Sequence, residues 1–237
     1  MSYIYLKKES KKNVFLAKRK KLLVGFFLFL SLSFFASAVF PILKFQLAYS
    51  SKLKQIIDPT SSQSYNQSSV LGDASVDYTQ LSNWFTNSTD TPLNNQIIDS
   101  NNSTYYLSIP KLKIVDAVVT LGSMDLTKSL IQYPQTALPG QLGNAVVFGH
   151  SVLPQFFNPK NYLTIFSTLY KLNQGDEIIL RYDKSTYKYV VDEMYEIQPT
   201  DLSVLEQRYD SKNLTLITCS PPGTYLRRLV IKAQLSL

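Results

Sequence analysis

The 237-residue chain contains one cysteine and one histidine. A single cysteine excludes an internal disulfide, and one of each excludes a metal centre built from Cys and His clusters. Net charge is also scarce outside the N-terminus. The formal charge is +7, yet the first 21 residues hold eight basic side chains and one acid, while the remainder holds 16 of each. The basicity therefore belongs to a tail, and it does not describe a nucleic-acid-binding face.

Between Leu22 and Leu43 charge is absent altogether. Those 22 residues, at about 1.5 Å rise each in a helix, span a hydrocarbon core about 30 Å thick. The lysines before the run keep the N-terminus in the cytoplasm and place the rest of the chain outside. Ala36-Ser37-Ala38 resembles a signal-peptidase site. The apolar run continues past it through Val39, Phe40, Ile42 and Leu43, which favours an uncleaved anchor. The expected organisation is a basic tail (1–21), a transmembrane anchor (22–43), a polar linker (44–103) and a folded domain (104–237). The linker is rich in Ser, Asn, Gln, Thr and Asp, as in Asp99-Ser100-Asn101-Asn102-Ser103. Within it, Leu81, Trp84 and Phe85 form a short apolar helical face that could dock on the domain.

From Tyr105 onward, short apolar runs alternate with turn residues, the pattern of a closed antiparallel barrel. The spacing predicts strands at Tyr105–Ile109, Ile114–Thr120, Asn144–Phe148, Glu177–Tyr182, Tyr187–Ile197 and Leu214–Cys219, and a last one that Arg227-Arg228 opens. Asp125–Ile131 is expected to make a helical turn capped by Asp125. Thr164–Leu172 reads as a core segment at helical spacing, and Leu202–Arg208 as a further short helix. In Tyr187–Ile197, the apolar residues Tyr187, Tyr189, Val191, Tyr195 and Ile197 fall at alternate positions and predict one buried face. The fold class is all-β-dominated: a closed barrel of about eight strands with short helices, preceded by one transmembrane helix and a polar linker.

The chemistry-bearing residues lie at strand ends. Cys219 closes one strand, Ser220-Pro221-Pro222-Gly223 turns, and Arg227-Arg228 opens the next. His150 ends the run Ala145–Gly149. Side chains alternate along a strand, so Thr215, Ile217 and Cys219 share one face. In the following strand Leu229, Ile231, Ala233 and Leu235 form an apolar face, and Arg228 leaves the opposite one, able to project into a groove beside Cys219. Arg227 has the other parity. A thiol, an imidazole and a guanidinium so placed suit a nucleophile, a proton-transfer partner and an oxyanion stabiliser.

The run Thr215-Leu216-Ile217-Thr218-Cys219 resembles the sortase signature TLxTC. Arg228, followed by Leu229-Val230-Ile231, resembles the catalytic arginine and closing strand of that family, and Gly149-His150-Ser151 the position of its histidine. The resemblance covers Tyr105–Leu237 in order. It implies a sortase-type barrel with His150, Cys219 and Arg228 as catalytic residues and Thr218 as a substrate-positioning residue. The implied reaction cleaves an LPxTG-like sorting signal through a Cys219 thioester and transfers it to an amine. Its partners would be surface proteins carrying that signal, an amine acceptor in a cell-wall precursor or another protein, and the membrane through the N-terminal helix. Some sortases use a carboxylate-lined calcium site; no acid cluster here matches one, so neither metal nor cofactor is expected. Asp58-Pro59 resembles the start of a lid motif of pilus-type sortases, but Thr60 stands where its aromatic belongs. No second apolar segment follows the domain, an expectation against the pilus-polymerising type. Two alternatives stand beside this reading. One is another surface cysteine enzyme such as an L,D-transpeptidase, whose Ser-His-Gly-Cys context is absent here. The other is a non-catalytic anchored binding domain with Cys219 in its core.

Overall fold

The computed structural model describes residues 11–49, 54–55, 77–84 and 104–236. Asp58-Pro59 and Phe85 lie outside the described residues, as does most of the expected linker. The chain divides into two compact units, Met1–Phe45 and Gln46–Leu237. In the first, helix α1 (Lys11–Tyr49) contains Lys20–Ser37, a stretch long and apolar enough to cross a membrane. Its apolar side chains, from Leu22 through Phe35, are exposed along their length.

The second unit is a barrel of eight strands: β2 (Thr104–Ile109), β3 (Ile114–Leu121), β4 (Leu130–Gln132), β5 (Gly143–Phe148), β6 (Glu177–Tyr182), β7 (Ser185–Ile197), β8 (Lys212–Ser220) and β9 (Arg227–Leu235). The order is β7-β6-β2-β3-β4-β5-β8-β9, and pairing of β9 with β7 closes it. The short β1 (Lys54–Gln55) adds in parallel to β7 at Tyr195 and Glu196. Closure removes the free edges that an open sheet would expose to other chains. The β6–β7 hairpin turns through Asp183 and Lys184, both at positive φ, the two-residue geometry whose twist suits antiparallel strands. β5 is buried at every position, because it lies parallel to β8 and both of its faces are covered.

Two expectations are corrected. Asp125 does cap a turn, its Oδ1 accepting from the N–H and hydroxyl of Thr127. The helical reading fails beyond it, since Leu130 and Ile131 belong to β4, paired with β3 and β5. A strand buried on both faces carries no alternation to set it apart from a helical turn.

The second correction concerns β7. Its pairing with β9 shifts register between Val191 and Glu193, so Asp192 is a bulge residue. Before the bulge, Val191 lies opposite Ala233; after it, Tyr195 lies opposite Val230 and Ile197 opposite Arg228. Tyr189 and Val191 therefore share the apolar face of Leu229, Ile231 and Ala233, whereas Tyr195 and Ile197 point to the other side with Cys219. That second face is itself a packed cluster, formed by Val146, Phe148, Tyr195, Ile197, Ile217, Cys219 and Val230 against Leu81, Trp84, Leu126 and Val204. Leu202–Arg208 contributes only a 3-10 turn at Ser203–Leu205.

Asp192 is exposed, so its side chain matters less than its presence in the backbone count. Asp192→Ala should change stability by no more than about 0.5 kcal/mol. Inserting one alanine after Asp192 should abolish cooperative thermal unfolding, because a second extra residue would turn Glu193 through Ile197 onto the wrong faces, whereas deleting Asp192 would leave their pairing with β9 unchanged. Circular dichroism melting of the two variants checks both outcomes.

Candidate functional site

The turn between β8 and β9 sets the site. Along their antiparallel register Cys219 lies directly opposite Arg228, and Ser220 opposite Arg227. Residues opposed in this way project to the same face, so the thiol and the guanidinium lie together while Arg227 points away. The parity expected from the sequence holds in both strands.

Three hydrogen bonds bring the His150 segment to the same place. The Gly149 N–H donates to the Ile217 carbonyl (3.1 Å). The Thr218 hydroxyl donates to the Gly149 carbonyl (2.8 Å) and the Ser151 hydroxyl to the Cys219 carbonyl (3.1 Å). His150 is thus held between two residues that are each tied to the end of β8. Gly149 has no room for a side chain, since a Cβ there would lie 2.3 Å from the Phe166 ring. Thr218 is buried, and its hydroxyl serves the Gly149–His150 backbone from the face of β8 opposite Cys219. The bonds from Ser151 and Thr218 could not be read from the sequence, because they join segments nearly 70 residues apart.

The site is covered. Cys219 is 2% exposed, His150 7% and Arg228 0%. The cover is the segment Asp77–Trp84, which ends in a 3-10 turn at Leu81–Trp84. Backbone bonds from Leu81 N–H to the Met124 carbonyl and from Leu126 N–H to the Thr79 carbonyl (2.9 Å each) fasten it. Trp84 is fully buried, edge-on to Phe148 at 5.5 Å, and its indole N–H donates to the Tyr78 carbonyl (2.8 Å). The Arg228 guanidinium lies 5.1 Å from the Trp84 ring centroid. Its Nη2 donates to the Trp84 carbonyl (2.8 Å), and Nη1 donates to those of Tyr225 and Arg227 (3.2 Å each). Tyr78 stacks on Tyr225 at 4.0 Å across the mouth. The apolar pattern of Leu81 and Trp84 was legible as a face able to dock; that it docks over Cys219 and Arg228 was not.

Covering sets the chemistry of the resting site. Burial pushes the Cys219 thiol up to about 11, against the smaller opposing pull of Arg228. Burial also lowers the His150 pKa, although the backbone of Leu163 and Ser151 and the charge of Asp77 favour the protonated ring. His150 Nδ1 is buried without a hydrogen-bond partner. At neutral pH the covered site therefore holds a thiol and a neutral imidazole. Among the described residues, no group of three His, Cys, Asp or Glu side chains is arranged to hold a metal ion.

The two shifts have opposite signs on the pH axis. The covered state favours neutral His150, a preference complete above the ordinary value of 6.5 and lost as pH falls through the lowered one. It also favours the protonated thiol, a preference complete below the ordinary value of 9.0 and lost as pH rises toward about 11. Trp84 is the only tryptophan in the chain, so its fluorescence reports the cover directly. The emission maximum should stay constant between about pH 6.5 and 9 and shift to the red on either side. Trp84→Ala should raise the rate of Cys219 alkylation by iodoacetamide at least about tenfold, since it removes the central contact of the closed state. An unchanged rate would mean that the segment does not gate the thiol.

Comparison with known proteins gives one consistent result. Residues 107–236, more than half of the chain, match the family model of the sortase domain. Sortase A of Listeria monocytogenes is 30% identical over 93 residues, which cover 39% of this chain and 38% of that protein. Sortase A of Staphylococcus aureus is 30% identical over 128 residues, covering 47% of this chain and 58% of that protein. The chain thus spans less than two thirds of the length of these curated relatives. A lid mutant of sortase A from Corynebacterium diphtheriae superimposes with a TM-score of 0.50 at 27% identity, covering 57% of this chain and 70% of that structure.

Proposed function

Because the chain belongs to the sortase family, we propose that it is a membrane-anchored cysteine transpeptidase that cuts a sorting signal of LPxTG type and passes the acyl part to an amine at the cell surface. The observation that carries the reading is the cross-strand pair Cys219–Arg228, with His150 tied to the same strand end. The sortase A relatives support the substrate class. The uncharged stretch of α1 behind a basic tail supports an anchor with the barrel outside the membrane.

In this mechanism the segment Asp77–Trp84 first leaves the site. Its departure returns water to the thiol, lowers its pKa from the covered value, and frees the Arg228 donor now bound to the Trp84 carbonyl. Transfer of the thiol proton to His150 yields the thiolate, which attacks the scissile carbonyl carbon of the signal peptide. Negative charge develops on the carbonyl oxygen, and the Arg228 fork donates to it. The C–N bond breaks, His150 returns the proton to the leaving amine, and a Cys219 thioester remains. An acceptor amine gives up a proton to His150, attacks the thioester and releases the thiol. Thr218 acts at one remove, holding the Gly149–His150 turn through its hydroxyl.

Substitutions separate the roles. Cys219→Ala should abolish both cleavage and transfer while leaving the circular dichroism spectrum intact. His150→Ala should slow turnover by roughly 10²–10⁴-fold, the contribution of a positioned proton-transfer group. Arg228→Lys keeps the charge but loses the planar fork, and should lose about 10²–10³-fold, nearly as much as Arg228→Ala. Peptide cleavage assays check the set. If Lys restores most activity, Arg228 supplies general electrostatics only; if Arg227→Ala is the damaging change, the assignment of the arginine is overturned.

A further inference from the structure

Behind the Cys219–Arg228 pair, on the opposite face of the sheet, lies a second constellation. The Ser220 hydroxyl donates to Glu196 Oε1 at 2.5 Å, and Arg227 Nη1 lies 3.6 Å from Glu196 Oε2. Ser220 is fully buried and the Glu196 side chain is 9% exposed. The three residues sit on three adjacent strands: Ser220 ends β8, Arg227 begins β9, and Glu196 is next to last in β7. Glu196 faces this way because of the bulge at Asp192, which sets it opposite Leu229 while its neighbours Tyr195 and Ile197 turn toward Cys219.

A carboxylate at this depth is costly, and replacing a buried ion pair by groups without charge is commonly neutral or stabilising. Stability alone therefore gives a poor account of Glu196. Its position gives a better one. Ser220 directly follows the nucleophile and Arg227 directly precedes the oxyanion arginine, so one carboxylate holds the backbone on both sides of the catalytic pair. It also draws Arg227 away from the thiol, leaving Arg228 as the cation on the reactive face. We infer that Glu196 is a positioning residue, which locks the ends of β8 and β9 in the register that aims Cys219 and Arg228 at the same carbonyl.

The inference rests on the transpeptidase reading, so the test has one arm that depends on peptide turnover and one that does not. In the first, full-length protein in detergent micelles is assayed on a peptide of Leu-Pro-x-Thr-Gly type. Glu196→Gln and Ser220→Ala should each lower kcat about tenfold with KM within about twofold, and neither should lower the melting temperature appreciably. The double variant should be no worse than the poorer single one, because the two residues act through one contact. In the second arm, iodoacetamide alkylation of Cys219 should be about fivefold faster or more in both single variants, as the strand end loosens. A kcat within about twofold of wild type overturns the inference. So does a loss confined to KM, single-variant losses that multiply in the double, or a lower melting temperature with unchanged kcat. If the wild-type protein turns over no such peptide, the substrate reading fails on its own and the alkylation arm decides: an unchanged or slower rate overturns the positioning role.

Discussion

The pairing register of β8 with β9 is the constraint on which the rest of the site depends. Cys219 and Arg228 are separated by a turn in sequence and become neighbours only if the two strands meet at this register. A slip of one residue would turn one partner to the opposite face of the sheet. The register is fixed twice, because β9 also pairs along β7 and closes the barrel. Leu214, Leu216, Leu229 and Ile231, all fully buried, hold the inner face of the same two strands. The burial energy of the barrel thus serves the geometry of the pair, although those side chains lie on the face opposite Cys219 and Arg228. The His150 segment then needs few contacts of its own, since Gly149, Thr218 and Ser151 tie it directly to β8.

A catalytic thiol faces two opposed demands. It must ionise to react, yet an exposed low-pKa thiol is open to oxidation. The covered state meets the second demand at the expense of the first. Trp84 packs in one cluster with Cys219, and burial moves the pKa values of Cys219 and His150 toward the neutral forms. The same residue satisfies Arg228 with its backbone carbonyl and its ring. The cover therefore engages the guanidinium itself, so in the proposed mechanism the carbonyl of a signal peptide competes with the carbonyl of residue 84 for the same donors. Release of the segment and readiness of the arginine are one event.

Legibility followed from how local each signal was. The strand–turn–strand of β8 and β9 could be read through to the faces of Cys219 and Arg228, because both strands alternate without a bulge and the turn is marked by Pro221, Pro222 and Gly223. β7 was legible as a strand, but its faces were not: the apolar residues on either side of Asp192 share a parity in sequence and opposite faces in space. β4 was lost because Leu130 and Ile131 are both buried, so its three residues show no period. The sortase fold was legible, whereas the packing of Trp84 on Arg228 joins residues 144 apart and leaves no mark in either local sequence.

Two adjacent arginines at the start of β9 would seem interchangeable by composition. Strand alternation makes them different groups. Arg228 enters a dry layer beneath Trp84, where carbonyl oxygens accept its hydrogen bonds and, among the described residues, no carboxylate pairs with it. Arg227 remains partly exposed on the other face, next to a carboxylate. A one-residue change of position thus converts a neutralised surface cation into a desolvated one, whose field acts at much lower effective dielectric. The carboxylate that marks the difference, Glu196, reaches its place only through the extra residue in β7. The bulge is therefore part of the site: it puts Tyr195 and Ile197 in the wall around Cys219 and Glu196 behind it, which no unbroken strand could do with consecutive residues and the same pairing to Arg228 and Leu229 while keeping Val191 in the inner core.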